Sequence, residues 1–224
     1  MNNPQRVLVI GASGGTGRAV VTDLIDSGHQ VTAFARRATS LQLNSDQLKI
    51  VTGDAMNAKD VAKAVKDQDA VIVTLGIREN PLRVRLLGSK NTASNIRSTG
   101  TANVIQAMKQ HGVSRLVVQS SFGVGQTRHL LRLGDRLLFK FLLKPQILDT
   151  EEQEKLVRES GLDWVIAQPV HLTDTAFSET PSSSIRGKVN QWNVSRRSVA
   201  RFLSKATHST PFLHQSVTLS GGER

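Results

Sequence analysis

A chain of 224 residues, 38% hydrophobic and 21% charged, has the length and balance of one sizeable globular core, and one domain over 1–224 is expected. No apolar run approaches the ~20 residues a membrane-spanning helix needs, the N-terminus MNNPQR lacks a secretory-signal pattern, and the absence of cysteine excludes disulfides and thiol chemistry. A net charge of +11 draws anions, and among these a phosphorylated cofactor, an acidic substrate, anionic lipid and nucleic acid all stay open; the cysteine-free composition suits the cytoplasm.

In chain order, short apolar runs recur at VLVI (7–10), VTAFA (31–35), LKIV (48–51), AVIVTLG (70–76), RLVVQS (115–120) and WVIAQ (164–168). Runs apolar on both faces predict strands of a parallel sheet covered on each side. Between them, Val20/Leu24 with Val21/Ile25, then Val61/Val65, then Ile105/Met108 ending at His111-Gly112 have helical spacing, the last with a C-terminal stop signal. Alternation of this kind predicts an α/β fold, a doubly wound parallel sheet with right-handed crossovers and a small C-terminal extension on the substrate side. The segment 170–190 reads as a loop rich in Ser, Thr and Pro.

The segment Gly11-Ala12-Ser13-Gly14-Gly15-Thr16-Gly17 follows the first predicted strand and opens the first predicted helix. Glycines there let backbone approach a pyrophosphate, and the helix N-terminus offers unpaired N–H groups and a positive dipole end, the dinucleotide-binding unit of a Rossmann-like sheet. The same letters satisfy the G-x-S-x-G nucleophile elbow. That elbow needs an oxyanion-hole N–H from an earlier loop of the sheet, and only ten residues precede the motif, so a hydrolase is excluded. Arg36 and Arg37 stand at the end of the second predicted strand, where a carboxylate would accept from a free ribose 2′-hydroxyl. Guanidiniums there suit a 2′-phosphate, so NADP(H) is expected over NAD(H); solvated surface charge is the alternative reading of the pair.

Four blocks in order, GASGGTG, GDAMNAKDVAKAVKDQDAVIVTLG (53–76), GTANVIQAMKQHGVSRLVVQSS (100–121) and LVRESGLDWVIAQPVH (156–171), resemble the atypical short-chain dehydrogenases. Within that group the chain is similar to the biliverdin reductase B, or NADPH-dependent flavin reductase, family, with NmrA-like NAD(P)-binding proteins as wider relatives. The resemblance implies that Asp54 and Ala55 lie beside the adenine, and that Thr74, Leu75 and Gly76 line the adenosine and ribose side. It also implies that Ser120, Ser121, Pro169 and His171 lie where nicotinamide and acceptor meet, and that WNVSRRSVARFLSKAT (192–207) is the structural helix that follows the substrate loop. Its activity implies hydride transfer to a flavin, quinone-like or tetrapyrrole acceptor, with FMN or FAD as a loosely bound partner. The chain departs from standard short-chain dehydrogenases in containing no tyrosine, so the Tyr-x-x-x-Lys dyad is absent and keto reduction by that route is not expected. A conjugated ring can take hydride by stacking on the nicotinamide, with Ser121 holding the ring or the substrate and His171 assisting as proton donor. A strand-end cap is the competing role for Ser121, and a loop-ordering residue for His171.

Arg128, Arg132, Arg136, Lys140 and Lys144 recur every fourth residue in RHLLRLGDRLLFKFLLKP (128–145) and predict a basic ridge on an amphipathic helix. It could cover a pocket, touch anionic membrane or pack in a dimer, or be a core-facing helix with a solvated basic face, so monomer and homodimer both stay open. Together 78–97, 122–145 and 170–190 are the substrate-side loops. The six histidines show no ligand spacing, so no metal is expected; with 4% aromatic residues and no binding motif, nucleic acid is not expected either. The expected partner is a planar, acidic small molecule. A non-catalytic NADP sensor and a membrane-surface assembly factor are the rival functions.

Overall fold

A computed structural model describes residues 4–37, 41, 43–77, 92–132, 134, 144–175, 180–208 and 211–222. Strands β1 (Arg6–Ile10), β2 (Gln30–Ala35), β3 (Leu48–Thr52), β4 (Ala70–Val73), β5 (Arg115–Gln119) and β6 (Asp163–Pro169) fall on the six apolar runs. With β8 (Ser182–Ser184) and β10 (Gln215–Ser220) they form an eight-stranded sheet in the order β3-β2-β1-β4-β5-β6-β10-β8, parallel throughout except where β8 runs against β10.

The two faces carry separate cores, as the strict alternation of strand side chains requires. Val7 and Val9 of β1 point to one face, where α1 (Gly15–Asp26) and α5 (Arg196–Lys205) bury Val20, Leu24, Val199 and Leu203. Leu8 and Ile10 point to the other, packed with Val61 of α2 (Ala58–Val65), Met108 of α3 (Ile96–His111) and Val157 of α4 (Lys144–Arg158). Helix α3 ends at the predicted signal: Gly112 adopts φ +68 and its N–H returns to the Met108 carbonyl.

The segment 170–190 is not simply a loop. It contains β7 (His171–Thr173), which pairs with β9 (Asn193–Ser195), and β8 on the sheet edge. Residues this polar form strands because β10 supplies a ladder for one and β9 for the other, a tertiary cause with no local signature. The predicted helix over 192–207 begins only at Arg196, where Ser195 accepts from the Ser198 N–H at 3.0 Å as its N-cap. The basic ridge over 128–144 is also broken at its start. A 3-10 turn (Gly125–Leu130) gives way to an extended Leu131, which buries in the core, while Arg132 stacks on the Trp192 ring with its guanidinium carbon 4.0 Å from the centroid. Burial of Leu131 and this cation–π contact pull the chain off a helical path. Arg136 and Lys140 lie outside the described residues, and Lys144 begins α4.

At the far end from these loops, the His29 and His208 rings lie 5.8 Å apart. Burial, then the charges of His29, Arg115 and Lys205, hold the His208 pKa below the ordinary 6.5. A histidine with a depressed folded pKa binds its proton more readily in the unfolded chain, so its stabilising contribution is present above pH ~6.5 and is lost as pH falls below it. The melting temperature is therefore expected to rise from pH 5.5 to 7, with a slope that His208→Gln flattens. An unchanged slope in that variant would exclude His208 as the titrating group.

Candidate functional site

The glycine loop joins β1 to α1 under several constraints. Gly11 adopts φ +86, and its N–H and that of Ala12 both donate to the Phe34 carbonyl at 3.0 and 3.2 Å. Its own carbonyl accepts from Gly14 N at 2.9 Å and from Thr74 Oγ1 at 3.3 Å, and Thr74 Oγ1 also donates to the Ile10 carbonyl at 3.0 Å. A Cβ on Gly17 would sit 2.3 Å from the Gly11 oxygen. The loop is thus pinned between the ends of β2 and β4, and Gly17 lets α1 close on it. Helix α1 has no side-chain cap and no acidic residue in its first turn, so its opening N–H groups face outward with the positive end of the dipole.

From this loop a cleft of about 970 Å³ runs along the carboxyl ends of the strands. Gly11, Ser13, Gly14, Gly15, Thr16, Arg36, Arg37, Asp54, Ala55, Thr74, Leu75 and Gly76 all line it. Ala12 and Gly17 do not: Ala12 is wholly buried in the α1 and α5 core, and Gly17 is covered by Gly11. Both support the loop from behind. Arg36 and Arg37 are exposed at one end, with Arg36 Nη2 donating to Thr92 Oγ1 at 3.0 Å. Asp54 Oδ1 accepts from Met56 N at 3.0 Å, so part of that carboxylate closes a turn.

Ser120, Ser121, Pro169 and His171, expected together beside the nicotinamide and acceptor, line a second cavity of about 380 Å³. Phe122, Leu131, Val170 and Trp192 form its apolar wall; Trp192 meets Phe122 edge-on at 5.5 Å. Arg97, Gln119, Leu172 and Arg196 line both cavities, which therefore meet at the ends of β5 and β6. Ser120 is buried because its Oγ donates to Glu154, a fully buried carboxylate on α4 that also accepts from Gln168 Nε2 at 2.8 Å and Arg158 Nη2 at 2.6 Å. Three donors, one of them cationic, satisfy this buried anion. A carboxylate only accepts, so the Ser120 proton points to Glu154. Ser121 Oγ donates to the Phe122 carbonyl at 3.2 Å. Of the two residues expected to assist chemistry, only His171 brings a titratable group to this wall; it is exposed, and its backbone N–H donates to the Trp192 carbonyl at 3.1 Å.

Among the described residues the larger cleft sets five guanidiniums, Arg18, Arg36, Arg37, Arg97 and Arg196, against two carboxylates, Asp54 and Asp174. Such a lining favours a polyanion. Arg196 crosses the glycine loop: a Cβ on Gly15 would meet its Cδ and Nε at 2.9 Å, and its Nη1 pairs with Asp174 at 2.6 Å. Arg97 lies at the start of α3, where Asp149 of α4 accepts from the Arg97 and Ser98 N–H groups at 2.9 and 3.0 Å and also from Ser98 Oγ. Burial depresses the Arg97 pKa against the pull of Asp149. Sequence reading placed Arg97 and Leu172 inside the substrate-side segments 78–97 and 170–190 without singling them out, and it missed Gln119 and Arg196, since no spacing relates the four residues. Among the described residues no helix is long and apolar enough to cross a membrane, and no three His, Asp or Glu side chains are grouped to hold a metal.

A family profile described as NAD(P)H-binding matches residues 11–210. The 3-beta-hydroxysteroid dehydrogenase of Mycolicibacterium neoaurum is 35% identical over 140 residues, which are 59% of this chain and 36% of that protein, so the chain spans about a third of this curated relative. Among solved structures, ChuY, an anaerobillin reductase from Escherichia coli O157:H7, superposes with a TM-score of 0.77 at 22% identity, covering 98% of each chain. A short-chain dehydrogenase/reductase from Veillonella parvula in complex with NADP superposes with a TM-score of 0.79 at 16% identity, over 96% of this chain and 94% of that one.

Proposed function

The chain belongs to the NAD(P)H-binding family, and from that premise we propose that it is an NADPH-dependent reductase that delivers hydride to a planar, acidic acceptor of the flavin, quinone-like or tetrapyrrole type. The observation that carries the proposal is the junction of two cavities: a long arginine-lined cleft beginning at a glycine loop opens into a smaller aromatic pocket, with Gln119 and Leu172 common to both. The loop and the first turn of α1 hold the pyrophosphate, with Arg196 lying across them, and Arg36 and Arg37 take the 2′-phosphate. NADPH, when bound, supplies the hydride; this chain's residues bring the acceptor plane against the nicotinamide. Trp192, Phe122 and Leu131 stack the acceptor and exclude water from one side. His171 or water then gives the proton that completes reduction, while Ser120, its own proton turned to Glu154, accepts a hydrogen bond from a ring or amide N–H. With no tyrosine in the chain, no phenol can serve as the donor.

The blocks resembling the biliverdin reductase B family, and the likeness to ChuY, support a tetrapyrrole as the first acceptor to try. NADPH oxidation followed by absorbance, with FMN, quinones and biliverdin as separate acceptors, tests the reading. Acceptor-dependent oxidation is expected. Tight NADPH binding without turnover on any acceptor would instead favour a non-catalytic NADP sensor of the NmrA-like kind, and failure to bind NADPH would overturn both.

A further inference from the structure

The smaller cavity combines an apolar wall with two guanidiniums, Arg97 and Arg196, and no Asp or Glu among its described lining residues. The two arginines differ in how they are neutralised. Arg196 is paired with the exposed Asp174. Arg97 has only the field of Asp149, whose two oxygens are already engaged by backbone and hydroxyl donors. Its Nη2 is pressed against Gly76, where a Cβ would approach to 2.9 Å, and its Nη1 is shielded from solvent with no hydrogen-bond partner among the described residues. A guanidinium left with an unmet donor away from water is costly, and any acceptor brought within reach relieves that cost. Arg97 also lies between the ends of β4 and β5, one and two strands from the glycine loop in the sheet order, and so away from the pyrophosphate end of the cleft. The helix that carries it and the Asp149 cap that holds its backbone are both rigid, so the charge is placed before any ligand arrives.

We propose that Arg97 is the seat for a carboxylate of the acceptor, gripping it at the junction of the two cavities so that the conjugated ring lies on the Trp192 wall and its reducible position faces the cleft. This rests on the reductase reading for what occupies that cleft. Rotation of the side chain brings Nη1 from its shielded position onto the incoming oxygen, where a charge-assisted contact satisfies the donor that Arg97 leaves unmet. Arg196 is the second cation within reach, and its exchange of Asp174 for the ligand carboxylate is the competing equilibrium. The ligand class is therefore a flat conjugated acid, and the carboxylates of a linear tetrapyrrole fit this description where an uncharged quinone does not.

The test is a titration of the NADP⁺-saturated protein with biliverdin and with biliverdin dimethyl ester, which keeps the chromophore and removes both charges, read by quenching of Trp192, one of the chain's two tryptophans. Biliverdin is expected to bind at least about tenfold more tightly than the ester. Arg97→Met should weaken the acid by about 10- to 100-fold, leave the ester within about twofold of wild type, and so erase the preference; because Arg97 also lines the larger cleft, NADP⁺ affinity is measured alongside and should fall by less than that of the acid. Arg97→Lys should restore part of it, and matched melting temperatures would show that the variants are folded. Equal affinity for acid and ester in the wild type overturns the proposal, as does a loss in Arg97→Met that falls equally on acid and ester or is larger for NADP⁺ than for the acid. If NADP⁺ binds and neither tetrapyrrole does, the proposal fails while the cofactor reading stands. If NADP⁺ does not bind, the reductase reading fails, and the acid-to-ester ratio of the nucleotide-free protein still decides the role of Arg97.

Discussion

Gly17→Ala should abolish measurable NADPH binding although residue 17 does not line the cleft. The added methyl would stand 2.8 Å from Thr74 Oγ1 and 2.3 Å from the Gly11 carbonyl oxygen, and the second contact, with backbone, is one that no side-chain rotation can relieve. Either α1 moves away from the loop or the Gly11 carbonyl turns and gives up its bonds from Gly14 N and Thr74 Oγ1. Overpacking of this kind against backbone costs about 3 kcal/mol. For a chain of this size that lowers the melting temperature by about 10 °C. Because the same movement displaces the N–H groups that face the cleft, the NADPH dissociation constant should rise more than about a hundredfold, well beyond the stability loss alone. Gly28→Ala is the control. Its φ of +82 makes alanine strained, with a cost of about 1–2 kcal/mol, yet nothing lies within 4 Å and the site is untouched. Stability should fall in both variants and nucleotide affinity only in the first. A Gly17→Ala protein that melts and binds as wild type would show that loop and helix are not in the contact described.

The second expectation concerns charge. Replacing Arg36 and Arg37 together by glutamate should lower NADPH affinity by about two to three orders of magnitude and leave NADH affinity within about threefold, measured by calorimetry for each nucleotide. Hydrogen bonds to charged groups contribute about 1.5–3 kcal/mol, and about 1.4 kcal/mol is a factor of ten, so removing two guanidiniums and adding two repelling carboxylates accounts for that range. Both residues are exposed, so the loss should shrink as salt is raised, by screening within a Debye length of about 10 Å at 0.1 M. Equal losses for the two nucleotides would remove the 2′-phosphate from the explanation. In the described structure Arg36 leans on Thr92, so Thr92→Ala is expected to weaken NADPH only modestly, by loosening the guanidinium rather than discharging it.

The parts of the fold legible in the chain were those whose cause is local. Strands β1, β2, β4, β5 and β6 are central and buried on both faces, and so appear as largely apolar runs, whereas β3 lies at the sheet edge with Lys49 and Ile50 exposed. β10 is just as buried, yet its alternating Ser216, Thr218 and Ser220 look half-solvated; Arg158 Nη2 donates to Ser216 Oγ at 3.2 Å and Asn190 N to Ser220 Oγ at 3.1 Å, so residues distant in the chain meet a face that would ordinarily be in water. The 170–190 segment misled for the same reason. In the basic stretch at 128–132, a four-residue spacing suggested one helix face, whereas a buried Leu131 and a tryptophan ring bind its residues to different parts of the molecule.

The site divides along the same line. The sequence by itself determined the glycine turn, its place between a strand and a helix, the arginine pair at the end of the next strand, and the lack of any tyrosine, since each depends on neighbours within a few tens of residues. Only the tertiary structure decided that Ser120 turns its proton to a carboxylate thirty-four residues away, that Arg196 lies over Gly15, and that Arg97 and Gln119 stand where two cavities join. Parallel strands bring distant segments to one edge of the sheet, and nothing in local spacing records which side chains will meet there.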